Sequence, residues 1–129
     1  MKALIVEDDR TSRIFLETVL SRYGECDAVS NGTQAVAAFM GAMEVGRRYD
    51  LICMDVMMPE IDGRETIRII REREATAGIF STRAKIIMTT ALGDTADIAS
   101  VNGLCDAYLV KPINVRRLLQ ELKTFRLVA

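Results

Sequence analysis

Four apolar runs in this chain each end on residues capable of phosphoryl chemistry. Ala3-Leu4-Ile5-Val6 leads into Glu7-Asp8-Asp9, and Leu51-Ile52-Cys53-Met54 into Asp55. Ile86-Ile87-Met88 leads into Thr89-Thr90, and Tyr108-Leu109-Val110 into Lys111-Pro112. Short apolar runs separated by helical patterns predict buried parallel strands, whose carboxyl ends open on one edge of an α/β sheet. Ligands bind at that edge. Carboxylates, a hydroxyl and an ammonium gathered there suit a divalent cation and a carboxylate nucleophile that takes up a phosphoryl group. That combination points to phospho-signalling.

Five strand–helix units are expected to position these residues. Lys2–Val6 reads as a strand, followed by a helix over about 11–23 with Leu16, Val19, Leu20 and Tyr23 on one face and Gly24 as the stop. Asp9 is assigned to the helix start as a cap. A second strand near 26–30 precedes Asn31, an expected N-cap, and a helix whose buried stripe is Val36, Phe39, Met40 and Met43. After the strand Leu51–Met54, a loop with Pro59 and Gly63 leads to a charged helix over about 64–74, with Ile67, Ile69 and Ile70 inward and its outer face solvated. The connection 75–84 is long, and Ile79 and Phe80 are expected to fold back over the sheet edge. The strand 85–89, a weak helix over 95–102, the strand 107–110 and a helix from Asn114 complete the pattern. Val115, Leu118, Leu119, Leu122 and Phe125 are expected inward on that helix.

Composition narrows the classes further. The chain has 129 residues, 17 basic and 18 acidic, with a net charge of −1, so its overall balance favours neither nucleic acid nor an anionic membrane. No apolar stretch is long enough to span a bilayer and the amino terminus lacks a signal-peptide pattern, which predicts a cytoplasmic protein. Cys26, Cys53 and Cys105 lack metal-ligand spacing and read as reduced thiols. Histidine is absent, which removes Ser/His/Asp catalysis and any phosphohistidine within the chain. A histidine phosphodonor must then be another protein.

In this order and spacing the motifs resemble the receiver domain of bacterial two-component response regulators. The pieces are Val6-Glu7-Asp8, Met54-Asp55-Val56-Met57-Met58-Pro59, Thr90-Ala91 and Tyr108-Leu109-Val110-Lys111-Pro112, and the likeness extends over residues 1–129 as one receiver domain without an output domain. The resemblance implies a flavodoxin-like (βα)5 fold, a five-stranded parallel sheet of order 2-1-3-4-5 with helices on both faces. It implies Asp55 as phosphoacceptor, with Thr90 and Lys111 as donors to the phosphoryl oxygens. Mg²⁺ is then expected on Asp8, Asp55 and the backbone carbonyl of Met57, with Glu7 holding a coordinated water. Thr89 should point away from the site by strand alternation. The Lys111-Pro112 bond resembles the family's cis peptide, and Thr90 with Tyr108 would form the switch. A sensor histidine kinase or a histidine phosphotransfer protein is the implied donor, and a downstream protein effector the implied reader. The segment 95–102, Tyr108, Arg116 and Arg117 would form the face presented to it, with no direct contact to nucleic acid or membrane. Leu104-Cys105-Asp106-Ala107-Tyr108 departs from the family's common Gly-Ala-Asp-Asp-Tyr run, which weakens an ion-paired dimer interface of the DNA-binding subclass.

Two other protein classes share parts of this pattern. A haloacid-dehalogenase-like phosphatase also uses an aspartyl phosphate, but it needs an aspartate two residues after the nucleophile, where this chain has Met57. A flavodoxin-like binding module needs a phosphate-cradling Gly/Ser/Thr-rich loop after the first strand, where acidic residues stand instead. Met57 and Leu92 lie two residues beyond Asp55 and Thr90. In the family that the chain resembles, polar side chains at these two positions help to orient the attacking water; apolar ones cannot, so the resemblance implies a long-lived phosphoryl group.

Overall fold

The apolar runs pair side by side. The computed structural model describes residues 1–58, 61–91 and 103–129. The elements are β1 (Lys2–Val6), α1 (Arg10–Leu20), β2 (Glu25–Val29), α2 (Gly32–Glu44), β3 (Leu51–Asp55), α3 (Gly63–Thr76), β4 (Lys85–Thr90), β5 (Ala107–Val110) and α4 (Val115–Thr124). All pairings are parallel, in the order β2-β1-β3-β4-β5. The expected helix over 95–102, together with Pro59 and Leu92, lies outside the described residues.

Every residue of β3 is buried, as expected for a central strand covered on both faces. One core joins Leu4, Val6, Ile52, Met54, Ile86 and Met88 to Phe39 of α2 and to Ile67 and Ile70 of α3. The other joins Ala3, Ile5, Leu51, Cys53 and Ile87 to Leu16 and Leu20 of α1 and to Leu118 and Leu122 of α4. Alternation along each strand thus divides its side chains between two helical layers.

Local chemistry sets the helix ends. Asp9 Oδ2 accepts from Ser12 N–H at 2.9 Å, Asn31 Oδ1 from Gln34 N–H at 2.8 Å and Asn114 Oδ1 from Arg117 N–H at 3.1 Å. Asp62 caps α3 through Arg64 and Glu65. The first helix ends three residues earlier than its apolar repeat suggests, and Tyr23 lies exposed in the following turn. In α2 the buried stripe is Ala35, Phe39 and Ala42, with Val36, Met40 and Met43 at its margins, because small side chains allow the closest approach to the sheet. Ile69 is only half-buried and Val115 is exposed. Phe80 does not fold back; it is 68% exposed, while Ile79 is half-buried.

At the end of α4, Arg126 N–H donates to Lys123 O and Leu127 N–H to Leu122 O, both at 2.9 Å, the Schellman pattern. Arg126 takes φ 61° there, a conformation that disfavours any residue with a Cβ. Arg126→Gly should therefore raise stability by about 1 kcal/mol, read as an upward shift of the urea midpoint. A lower midpoint would show that the arginine side chain contributes more than its backbone costs.

Candidate functional site at the carboxyl edge of the sheet

β1 ends beside β3 with Val6 opposite Met54, so Glu7 and Asp8 emerge next to Asp55, the last residue of its strand. One carboxylate oxygen from each of Glu7, Asp8 and Asp55 lies within 4.8 Å of the others. Glu7 and Asp55 are buried, whereas Asp8 faces solvent. Lys111 reaches in from beyond β5, its Nζ 3.0 and 3.2 Å from the two Glu7 oxygens and 3.2 Å from Asp55 Oδ2. The Lys111-Pro112 peptide is cis, as the resemblance implies.

Three carboxylates facing one ammonium leave about two negative charges uncompensated when all are ionised. Their hard oxygens, in a setting short of positive charge, fit a small divalent cation. Burial pushes the Glu7 carboxyl up from 4.5 to about 7; the Asp55 charge adds to the rise, and the Lys111 ammonium opposes it. Burial alone would lower Lys111, but its hydrogen bond to Glu7 and the charges of Asp55 and Glu7 outweigh that and raise it.

A raised acid pKa means that folded Glu7 keeps a proton that the unfolded chain has released. Its stabilising contribution is complete below pH 4.5 and is lost as pH rises through about 7, at most about 3 kcal/mol in total. In metal-free buffer the wild type should therefore lose stability between pH 5 and 8, and Glu7→Gln should flatten that decline. Melting curves of both proteins in a chelator check this. An undiminished decline in the variant would place the titrating group elsewhere.

The other expected residues are placed as follows. Thr90 is buried at the end of β4, and its hydroxyl donates to Ala91 O at a long 3.2 Å; no hydrogen bond joins it to Asp55. Met57 N–H donates to Asp55 Oδ1 at 3.2 Å, and its side chain is 55% exposed. Tyr108 is 50% exposed, turned outward. Thr89 is the register partner of Asp55, so strand alternation does not turn it to the opposite face as expected; it lines a cavity of about 290 Å³ with Thr11, Phe15, Lys111, Pro112 and Ile113. Among the described residues its buried hydroxyl has no hydrogen-bond partner.

Sequence reasoning missed two contributions to this edge. Arg13 Nη1 donates to Glu7 O at 3.0 Å and steadies the acidic turn; its only signal is its place one helical turn past the Asp9 cap. Gly63 donates its N–H to Val56 O at 2.8 Å, and a Cβ there would collide with Asp55 O and crowd the Val56 Cα, so α3 can start against this turn only with glycine. The outer face of α3 is solvated as expected, with Glu65, Arg68 and Glu72 exposed, but its inward stripe also carries charge: Arg71 and Glu74 are buried and hydrogen-bonded to one another at 2.7 Å. A charge pattern read along one helix cannot reveal partners from distant segments.

Comparison with known proteins agrees with this geometry. Residues 3–123 match the family model described as the response regulator receiver domain. The chain is similar to the transcriptional regulatory protein ResD of Bacillus subtilis, 36% identical over 124 residues, which are 95% of this chain and 46% of that protein. It is similar to the transcriptional regulatory protein TcrA of Mycobacterium tuberculosis, 36% identical over 126 residues, 95% of this chain and 45% of that one. It thus spans about half the length of these curated relatives. Among solved structures it is similar to the complex of the Saccharomyces cerevisiae histidine phosphotransfer signaling protein Ypd1 with the receiver domain of the response regulator Ssk1. That match has TM-score 0.81 and 27% identity over 97% of this chain and 88% of the other. The response regulator protein TrrA from Thermotoga maritima, in complex with Mg(2+)-BeF, matches with TM-score 0.78 and 30% identity over 96% and 97%.

Proposed function

Because the chain belongs to the response regulator receiver domain family, the receiving module of two-component phosphorelays, we propose that Asp55 accepts the phosphoryl group. The observation that carries this reading is the cluster of Glu7, Asp8 and Asp55 oxygens within 4.8 Å, closed on one side by Lys111, at the edge where parallel sheets bind ligands. An Asp55 oxygen attacks phosphorus, the bond from phosphorus to the donor's imidazole nitrogen breaks, and the imidazole leaves with the electron pair.

Asp8, Asp55 and the Met57 carbonyl would hold Mg²⁺ directly, with Glu7 acting through a water. The cation would neutralise charge on the transferring phosphoryl oxygens. Lys111 already lies beside the nucleophile, and its ammonium can follow the transferred oxygens without crossing the site. The Thr90 hydroxyl gives up a long hydrogen bond to Ala91 O when it turns toward them. That movement vacates space behind Thr90, and the half-exposed Tyr108 ring, with Arg116 and Arg117 of α4, would report it to a protein effector.

The donor, a histidine kinase or a histidine phosphotransfer protein, must seat its imidazole over Asp55. Phe15 of α1 is partly exposed and lines the cavity that Pro112 and Ile113 complete, and this apolar rim next to the acidic edge suits a protein donor. A cytoplasmic location fits such a donor; no helix among the described residues is long and apolar enough to cross a membrane. The phosphatase alternative is not supported, since the exposed Met57 thioether cannot exchange a proton.

Incubation with acetyl phosphate and Mg²⁺ should add one hydroxylamine-labile phosphoryl group, mapped by mass spectrometry to Asp55. A label on any other residue would overturn the assignment. The apolar side chains of Met57 and Leu92 should make that label persistent, so Met57→Asn with Leu92→Glu should speed its loss roughly tenfold, about 1.4 kcal/mol of barrier. Equal decay of parent and variant in saturating Mg²⁺ would show that the lifetime is set elsewhere.

A further inference from the structure

Lys111 can reach Glu7 and Asp55 only if β5 lies in one register against β4, and β5 is poorly equipped to choose it. It is the edge strand, four residues long, with Leu109 as its single fully buried side chain. A slip of one residue would turn that leucine outward and displace Lys111 by roughly 3.3 Å. Edge strands with so short a buried pattern define register weakly.

The missing specification lies at the far end of the strand. Asp106 brackets Ile86: its N–H donates to Ile86 O at 2.8 Å, and its Oδ2 accepts from Ile86 N–H at 2.8 Å. The same oxygen accepts from Arg71 Nη2 at 3.0 Å. Arg71 is itself held from three sides, with Nη1 on Glu74 Oε1 at 2.7 Å and Ala84 O at 2.8 Å, and Nε on Leu104 O at 2.8 Å. Glu74 Oε2 accepts from Ala84 N–H at 2.8 Å. One guanidinium thus ties α3 to the start of β4 and to the chain entering β5. A shifted β5 would leave buried charges and backbone groups unpaired, which strongly disfavours any other register.

We propose that Asp106 and Arg71 are positioning residues for Lys111: their buried network sets the register of β5 and so delivers the ammonium to the acidic cluster at the opposite end of the strand. The consequence for phosphoryl transfer rests on the role of Lys111 proposed above; the placement of Lys111 in the unphosphorylated protein does not.

The test uses the Lys111 side-chain ammonium resonance in NMR, amide exchange along β5, and the rate of labelling by acetyl phosphate. In Asp106→Ala the resonance should move to that of a solvated lysine, β5 amides should exchange at least about tenfold faster, and labelling should slow about tenfold or more. Asp106→Asn keeps an oxygen for Ile86 N–H and should restore the resonance at least in part. Ile70→Val loosens the same helix without touching β5 and should leave the resonance unchanged. A folded Asp106→Ala with Lys111 undisturbed, or an equal disturbance in Ile70→Val, would overturn the proposal. Should Asp106→Ala fail to fold, Arg71→Lys, which retains the charge but not the planar fork, decides. A shifted Lys111 resonance supports the register role, and an unshifted one refutes it. Absence of labelling in the parent would refute the phosphoacceptor reading and leave the resonance test standing.

Discussion

Asp55→Asn should take up no phosphoryl group from acetyl phosphate in Mg²⁺, a loss on the order of a hundredfold or more in labelling rate. The amide has no anionic oxygen to attack phosphorus, while its shape preserves the turn that accepts Met57 N–H. Stability should hold, because one of three clustered carboxylates is removed and Lys111 keeps both Glu7 oxygens as partners. The comparison is therefore between two folded proteins with equal melting behaviour. Equal labelling of both would move the nucleophile to another residue, with Asp8 the nearest candidate.

Arg71→Met should produce the largest loss of stability of any single substitution considered, about 3–5 kcal/mol, because it leaves the Glu74 and Asp106 carboxylates without their buried counter-charge. For a chain of this length that corresponds to roughly 10–20 °C in Tm. It approaches the whole stability of many small domains, so a shallow or broadened transition is also expected. Adding Glu74→Gln removes one stranded charge and should recover part of the loss. Chemical denaturation of the single and double variants measures this coupling. Strictly additive losses would show that Arg71 stabilises by packing alone.

Lys111 and Arg71, both in contact with carboxylates, were not equally legible in the sequence. Lys111 follows an apolar run, and a strand end is a local property: period-2 burial stops where polar residues begin, so the position of Glu7, Asp8, Asp55 and Lys111 on a common edge was determined by the sequence. The caps Asp9 and Asn31 were legible for the same reason, since each closes a hydrogen bond to the backbone three residues on. Strand order was not in the spacing, and it came only through likeness to a family.

Tertiary structure alone decided which partners let charged residues leave water. Arg71 and Glu74 continue the i, i+3, i+4, i+7 stripe of Ile67 and Ile70, whereas Glu72 and Arg73 lie on the exposed face, so the helical period could turn them inward but could not name what they meet there. Their burial depends on Leu104 and Asp106, 33 and 35 residues further along the chain, and no local pattern encodes that distance. The same holds for the shift of the buried stripe in α2 to Ala35 and Ala42, which depends on how closely that helix can approach the sheet. Periodicity records the free energy of taking apolar groups out of water, a sum over each segment separately. The burial of a charge is favourable only once its partners have been assembled from elsewhere, and the assembled fold is the first place where those partners meet.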